Sequence, residues 1–338
     1  MARVAHVSKG AASRALNGRP GVAAETRVRV EAAARELGWV PNQLARALSG
    51  ARAGTVGWVI LRSAKTHSVD PYFMELFAGI ELGLADSPTA LVVKLVGSIE
   101  AEIATYRTWV GEGRVDGVVI MDLRESDPRV EVLRELQLPV VAFVSRGDRY
   151  ADFGVIFTDE AASTREILDH AYERGHRRVG WISGSDQLET TQVRVQAVAD
   201  WQVDGDLGVE FVHSDLGAES GADAAERLVV GPARCTFLCL DNDAVTAAVI
   251  ARLRRLDLRV PDDVSIVTWV DSEMCALSSP TISALSHDIL LYGRRLGERL
   301  LEVIETGDPG PPELIGPAKL IHRESVSRLA TETGLGEG

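Results

Sequence analysis

The sequence predicts a small all-α head followed by an α/β body made of two doubly wound parallel sheets. Net charge changes sign along the chain, the apolar periodicity changes near residue 55, and from there short apolar runs alternate with amphipathic stretches. A chain of 338 residues is long enough for two or three domains. Its 46% hydrophobic and 25% charged residues are typical of a globular protein and exclude disorder as the main state.

The head is basic although the whole chain is acidic. Residues 1–53 contain nine Arg or Lys and three Glu, a net charge of +6, whereas the chain as a whole carries −13, so the remainder carries −19. A basic segment joined to an acidic body indicates a polyanion partner for that end only. A solvated basic surface is the alternative that charge alone leaves open.

The head is predicted to contain short helices. Ser8 is a good N-cap for a helix over residues 9–16, which the following Asn-Gly pair ends. A second helix fits residues 24–37, with Gly38 as its stop, and a last short helix fits residues 43–48. Isolated helices of this length have marginal stability, so these helices are expected to pack together as a cluster. The apolar residues expected on or near one face of the second helix are Val28, Val30, Ala33, Ala34 and Leu37.

From Thr55 onward the pattern is that of parallel sheets covered by helices on both faces. The predicted strands are 55–60, 90–96, 117–121, 139–144, 153–158, 179–183, 209–213, 235–240 and 264–270. The predicted helices are 72–86, 100–109, 128–136, 160–174, 190–201, 221–230 and 243–256. So many units exceed one sheet, so two doubly wound halves are expected. Ligands of such folds bind beyond the carboxyl ends of the strands.

Several classes of protein are disfavoured. No stretch approaches 18 uncharged apolar residues and no apolar leader follows the first basic residue, so a cytoplasmic protein without a membrane span is expected. The three cysteines match no ligand spacing and are expected to be buried or incidental thiols. The seven histidines form no HxxxH or HxH pair, and no nucleophile elbow is present. We therefore expect neither enzymatic activity nor a cofactor or metal.

The run VSKGAASRALNGRPGVAAETRVRVEAAARELGWVPNQLARAL, residues 7–48, resembles the helix-turn-helix head of the LacI/GalR family of bacterial transcription regulators. Body segments such as DPYFMELFAGIE, VDGVVI, DNDAVTAAVIARLRRLDLRVPDDVSIV and GPAKLIHRES occur in family order, so the resemblance covers nearly the whole chain. It implies a type I periplasmic-binding-protein-like body. It also implies a homodimeric DNA-binding regulator, usually a repressor, on a pseudo-palindromic operator.

The resemblance implies five segments. They are a helix-turn-helix head at 1–40, a hinge helix and linker at 41–53, an N-terminal effector subdomain at 54–152 with 288–318, a C-terminal effector subdomain at 153–287 with 319–330, and a flexible tail at 331–338. The family's first helix begins several residues earlier, so about half of that helix is expected to be missing. The alternative function is therefore a cytoplasmic ligand-binding protein whose truncated head no longer binds DNA.

The resemblance also implies the DNA contacts. Lys9, Gly10 and Arg14 occupy base-reading positions of the recognition helix, and Arg to guanine is the commonest specific contact. Leu48 corresponds to the wedge that unstacks the centre of the operator, with a simple core residue as the alternative. The predicted DNA-binding set is Ser8, Lys9, Gly10, Ser13, Arg14, Asn17, Asn42, Arg46 and Leu48.

The predicted effector site lies between the two subdomains. Arg194 matches an arginine that bonds effector hydroxyls, with a structural salt bridge as the alternative, and Trp269 is either core or a stacking platform. The family's usual ligand-bonding acid is Val270 here. The predicted set is Tyr72, Phe73, Ser145, Arg146, Asp159, Arg194, Asp243, Trp269 and Asp271. Family frequency favours a sugar; a nucleoside or another polar metabolite is the alternative, as inducer or co-repressor.

Overall fold

The computed structural model describes residues 2–16, 21–38, 52–61, 71–201, 207–215, 217–316 and 318–329. Within these ranges a small helical head precedes an α/β body of two six-stranded sheets, which confirms the predicted fold class. The predicted hinge helix and the predicted tail lie outside the described residues. So do four predicted DNA contacts, Asn17, Asn42, Arg46 and Leu48.

Two helices, α1 (Lys9–Leu16) and α2 (Ala24–Glu36), form the described part of the head. The Ser8 hydroxyl accepts a hydrogen bond from the Ala11 amide at 3.1 Å, as expected of an N-cap. Residues 2–7 form turns that pack against the helices. The small core consists of Ala5, Ala12, Ala15, Val30 and Ala33.

One part of the prediction for α2 is wrong. Val30, Ala33 and Ala34 are buried, but Val28 is 60% and Leu37 51% exposed. Val28 is two residues from Val30 and therefore about 200° around the helix from it. Leu37 follows the last helical residue as the C-cap, so it lies past the buried face.

The first sheet has the strand order β11-β5-β4-β3-β1-β2, with every pair parallel. Its strands are β1 (Thr55–Leu61), β2 (Ala90–Val96), β3 (Gly117–Ile120), β4 (Val140–Val144), β5 (Gly154–Phe157) and β11 (Glu313–Leu314). Its helices are α3 (Pro71–Leu84), α4 (Ile99–Gly111), α5 (Pro128–Glu135) and α11 (Ile289–Thr306). Because β3 and most of β1 and β4 are buried, these strands are apolar throughout instead of alternating.

The second sheet has the order β12-β10-β9-β8-β6-β7, and only β12 runs antiparallel to its neighbour. Its strands are β6 (Arg178–Ser183), β7 (Gly208–His213), β8 (Phe237–Leu240), β9 (Ser265–Thr268), β10 (Ser283–Ser286) and β12 (Lys319–Ile321). Its helices are α6 (Glu160–Glu173), α7 (Glu189–Asp200), α8 (Ala218–Val230), α9 (Asp243–Arg255) and α10 (Glu273–Leu277). Strands β10, β11 and β12 are absent from the prediction because β11 and β12 have only two and three residues, and β10, with the sequence SALS, has no continuous apolar run.

Both sheets are wound in the same way. In each, the order reverses beside the first strand of that half, and such a reversal opens a crevice at the carboxyl ends of the strands. The chain passes between the halves after β5, after β10 and after β11. We refer to the two halves as the N-half, which contains β1 to β5, and the C-half, which contains β6 to β10.

Candidate functional site

A cleft of about 170 Å³ lies between the carboxyl ends of the two sheets. Five predicted effector residues line it, namely Tyr72, Phe73, Ser145, Arg194 and Trp269. Residues outside the predicted effector set also line it and contribute much of its charge and polarity; among them are Asp122, Glu160, Asp241, His287 and Tyr292. The cleft therefore draws side chains from both halves of the body.

Arg194 is held in the cleft by two carboxylates. Its Nε donates to Glu160 at 2.9 Å, and its Nη1 donates to Asp241 at 3.0 Å. Glu160 begins α6, Asp241 follows β8 and Arg194 lies in the second turn of α7, so three elements of the C-half meet here. All three side chains are at most 11% exposed. We call this group the Arg194 triad.

Burial shapes the ionisation of the triad. Desolvation raises the pKa of Asp241, even though Arg194 and the Gly184 amide favour its charged form. Desolvation opposes the charge on Arg194, but the attraction of Glu160 and Asp241 outweighs it and raises the pKa of the guanidinium. The triad therefore holds a permanent cation between two carboxylates.

Trp269 supports Arg194 from one side. The guanidinium carbon lies 3.6 Å from the centre of the Trp269 ring, which packs in turn against Trp181. Trp269 also accepts a hydrogen bond at its carbonyl from Nε2 of His287, 3.0 Å away. The pKa of His287 is lowered by burial, so the neutral ring can accept the Tyr292 hydroxyl at Nδ1, 3.2 Å away.

The N-half supplies an aromatic wall. Tyr72 and Phe73 pack edge to face at 5.4 Å, and Phe143 packs against Tyr292 at the same distance. Beside them the buried Ser145 hydroxyl has no hydrogen-bond partner among the described residues. A compact ligand with apolar faces and a polar rim would match these two walls.

The structure places four predicted effector residues away from the cleft lining. Asp159 caps α6 through the Ala162 amide at 2.8 Å, and both oxygens of Asp271 bind Arg323, at 2.7 and 2.9 Å. Arg146 is exposed outside the cleft, and Asp243 is the first residue of α9. The Asp159 side chain turns back onto the backbone as a cap, while the next residue, Glu160, faces the cleft.

The described part of the predicted DNA-binding face is exposed. Ser8, Lys9, Gly10, Ser13 and Arg14 are all solvent-accessible, whereas Ala12 and Ala15 on the other side of α1 are buried. The helix therefore presents a basic and polar face that its own core leaves free.

A larger and more open depression of about 680 Å³ lies elsewhere, between the start of α4 and residues 124–128. Ser98, Glu125 and Gln192 contribute to its lining, and none of its described lining residues is aromatic. It also borders Leu61, the last residue of β1. The cleft is the better candidate site because the strand ends of both sheets meet there.

The described residues contain no candidate metal site, disulfide or membrane-spanning helix. No group of three His, Cys, Asp or Glu side chains among the described residues could hold a metal ion. The three cysteines are free and buried, as predicted. Within the described ranges no helix has the length and apolar character needed to cross a membrane.

The head carries an exposed basic helix, and the two-sheet body has a cleft of the size of a small ligand. This combination is typical of a ligand-binding protein with a nucleic-acid-binding domain. Two family models match the chain: bacterial regulatory proteins of the lacI family over residues 1–42, and the periplasmic binding protein-like domain over residues 168–326. The chain thus combines a lacI-family head with a periplasmic binding protein-like domain, and its homologues are transcriptional regulators with these two domains.

Known relatives extend over the same length. The transcriptional regulator CelR of Thermobifida fusca is 26% identical over 332 residues, which is 96% of each chain. The regulator AglR of Rhizobium meliloti is 28% identical over 96% of this chain and 93% of its own. A solved complex of CelR with cellobiose is 26% identical, covers 96% of this chain and 98% of its own, and superposes with a TM-score of 0.70.

Proposed function

We propose that this protein is a DNA-binding transcription regulator, and specifically a repressor, whose operator affinity is set by a small polar ligand in the cleft. The observation that carries the proposal is the exposed face of α1 within a segment that matches the lacI family. Its relatives of similar length are transcriptional regulators. We assign it no catalytic role, and we place it in the cytoplasm with the DNA that it binds.

The DNA contacts are assigned to the head. Lys9, Gly10 and Arg14 are proposed to read base edges in the major groove, while Ser8 and Ser13 contact the backbone. Asn17, Asn42 and Arg46 are proposed as further contacts, and Leu48 as the wedge at the operator centre. The acidic body should be repelled by phosphate, which leaves binding to the head.

The protein is proposed to act as a homodimer, since two equivalent recognition helices match a pseudo-palindromic operator. Apolar side chains stand exposed on two adjoining elements of the N-half: Met74 and Leu82 on α3, and Leu95 on the edge strand β2, which are 53%, 53% and 70% exposed. A second copy of the chain would cover them. The molar mass in solution, by light scattering, tests this directly.

DNA binding is tested by selecting random double-stranded oligonucleotides with the full chain. A regulator should enrich one pseudo-palindromic sequence, and the same DNA should then shift in a gel titration. A chain extended upstream serves as the comparison. Enrichment by neither form would leave a ligand-binding body with an inactive head, whereas enrichment by the longer form alone would place the true start upstream.

We propose a sugar as the ligand. The Arg194 triad and the Ser145 hydroxyl supply hydrogen-bonding groups, and the Tyr72, Phe73 and Trp269 rings supply apolar surface, a combination that suits hydroxyl-rich rings. The CelR structure holds cellobiose. The aromatic wall could equally stack a nucleoside base, so a thermal-shift comparison of cellobiose, monosaccharides and nucleosides separates the two. A shift with nucleosides only would overturn the sugar assignment.

A further inference from the structure

The halves of the body are joined by contacts that are not part of the three chain crossings. The first residues of α7, in the C-half, meet residues 123–124 of the N-half, just after β3. The Glu189 amide donates to the Leu123 carbonyl at 2.9 Å, and Leu188 forms an isolated antiparallel bridge with Arg124. Because these bonds are not required by chain connectivity, they can form and break as the halves move.

The Glu189 side chain also reaches into the N-half. It is only 2% exposed, and its Oε2 accepts the Tyr150 hydroxyl at 3.0 Å, with Arg149 Nη1 at 4.0 Å. Its Oε1 has no hydrogen-bond partner among the described residues. The buried carboxylate is thus held between the halves by the Tyr150 hydroxyl, while Arg149, Arg146 and the Ser145 backbone also favour its charged form against desolvation.

The same helix carries ligand-facing groups. Leu188, Thr190 and Thr191 line the cleft, and Arg194 of the triad lies five residues after Glu189. An α-helix of this length moves as a rigid unit, so a displacement at Arg194 also displaces Glu189. Ligand contact in the cleft and the contacts between the two halves are therefore mechanically connected through α7.

We propose that the Glu189–Tyr150 contact is a latch that keeps the two halves closed, and that α7 transmits ligand binding at Thr190, Thr191 and Arg194 to this latch. The latch is a property of the body alone. Only its effect on operator affinity rests on the proposed function. Glu189 and Tyr150 are positioning residues, since neither lines the cleft.

Hydrogen exchange of the full chain, without ligand or DNA, tests the latch. Glu189→Ala and Tyr150→Phe should each speed exchange about tenfold or more in peptides covering 120–126 and 186–192. The core strand β8 (Phe237–Leu240) should keep its wild-type protection. Tyr150→Phe leaves the ring on Phe153, 6.2 Å away, so it removes only the hydroxyl. The double variant should show no further increase, because both changes break one contact.

Asp200→Ala is the matched control, since Asp200 lies at the other end of α7 and accepts a hydrogen bond from Gln196 of the same helix at 2.7 Å. It should exchange like the wild type at both peptides. Wild-type exchange in both Tyr150→Phe and Glu189→Ala would overturn the latch. Faster exchange throughout, with β8 included, would also overturn it, because Glu189 would then stabilise the fold and not the closure. Loss of DNA binding would count against the proposed function and leave this result unchanged.

Discussion

At the scale of single residues, Arg194 shows how the side chains of the candidate site are held in position without a ligand. Two carboxylates and the Trp269 ring fix its guanidinium, so the donors that remain have a set direction. Pre-organisation of this kind lowers the entropy cost of binding. The two alternatives for Arg194, ligand contact or structural ion pair, are therefore compatible in one residue.

Arg194→Met should destabilise the protein by about 3–5 kcal/mol at pH 7.5, because Glu160 and Asp241 lose the cation buried between them. Protonation of Asp241, whose pKa is raised by burial, should shrink the loss of stability in the folded variant as the pH falls toward 5.5. Urea denaturation at both pH values measures it. Arg259→Met is the control: that side chain is 68% exposed, so solvent screens its ion pairs and their loss should change the stability little. Equal losses in the two variants would contradict the account.

Arg14→Ala should weaken operator binding by about 1–3 kcal/mol and relax the preference at one base position. The reason is that a bidentate arginine contact distinguishes guanine from the other bases. Selection followed by anisotropy on single-base operator variants measures both effects. If binding instead weakens uniformly over all sequences, Arg14 contacts phosphate.

His176 is a buried structural histidine in the turn between α6 and β6. It is 1% exposed, between the Thr236 hydroxyl and the Ser327 carbonyl, and burial lowers its pKa to about 4. In the unfolded chain this histidine binds a proton near pH 6.5. The contribution of the neutral, buried His176 to the free energy of unfolding is therefore full above pH 6.5 and is lost as the pH falls toward 4.

His176→Asn should therefore make the free energy of unfolding less dependent on pH between 6.5 and 4, at the expense of stability at pH 7.5. Denaturation curves at half-unit pH steps give the slope. His6→Asn, at an exposed position in the head, should keep the wild-type slope. A steep slope in His176→Asn would assign the acid sensitivity to other groups.

At the scale of elements, α3 and α11 pack unusually close because glycines face one another. A Cβ on Gly293 would clash with the Leu76 carbonyl oxygen and would lie 2.8 Å from the Gly79 Cα. Gly83 and Gly297 repeat the arrangement one turn along. Helix α11, which follows the second chain crossing, therefore packs closely against α3 of the N-half.

Gly293→Ala should separate the two helices and lower the stability by about 1–3 kcal/mol, despite the better helix propensity of alanine. Thermal unfolding monitored by circular dichroism would show it. Gly111→Ala, at the end of α4 where a Cβ meets nothing within 4 Å, should be neutral or slightly stabilising. A Gly293→Ala variant as stable as Gly111→Ala would show that the helices can separate without loss.

The sequence predicts strands and helices well where apolar runs are long. For the cleft it predicts the region, but not which residue of each polar run lines it. The strand ends indicate where the cleft lies, but they do not distinguish Asp159 and Asp243 from Glu160 and Asp241, which line it. Asn242, like Asp159, caps a helix, so its side chain is committed to the backbone. Which residue of a polar run faces the ligand depends on cap geometry. No local pattern in the sequence marks His287, which lies where the chain crosses between the halves, as a residue of the cleft.

At the scale of the whole molecule, charge is divided between the head and the body. A head of +6 on a body of −19 should concentrate phosphate contacts in the first 53 residues. The chain is acidic in total and still suited to DNA, because attraction acts over roughly 8–10 Å at physiological salt and so depends on the local charge. Repulsion by the body should also oppose non-specific adsorption along DNA.

Operator binding should consequently fall steeply with salt, by roughly a thousandfold or more between 50 and 200 mM if a dimer makes about six or more phosphate contacts. Removing an exposed arginine of the head, Arg35→Ala, should reduce the log–log slope by about 1 for each phosphate that this arginine neutralises. The matched change in the body, Arg107→Ala, should leave the slope as it is, since that exposed residue lies on α4. Anisotropy titrations at five salt concentrations give all three slopes. Equal reductions in both variants would mean that the body also contacts DNA, and the division of charge would then have no bearing on where the protein binds.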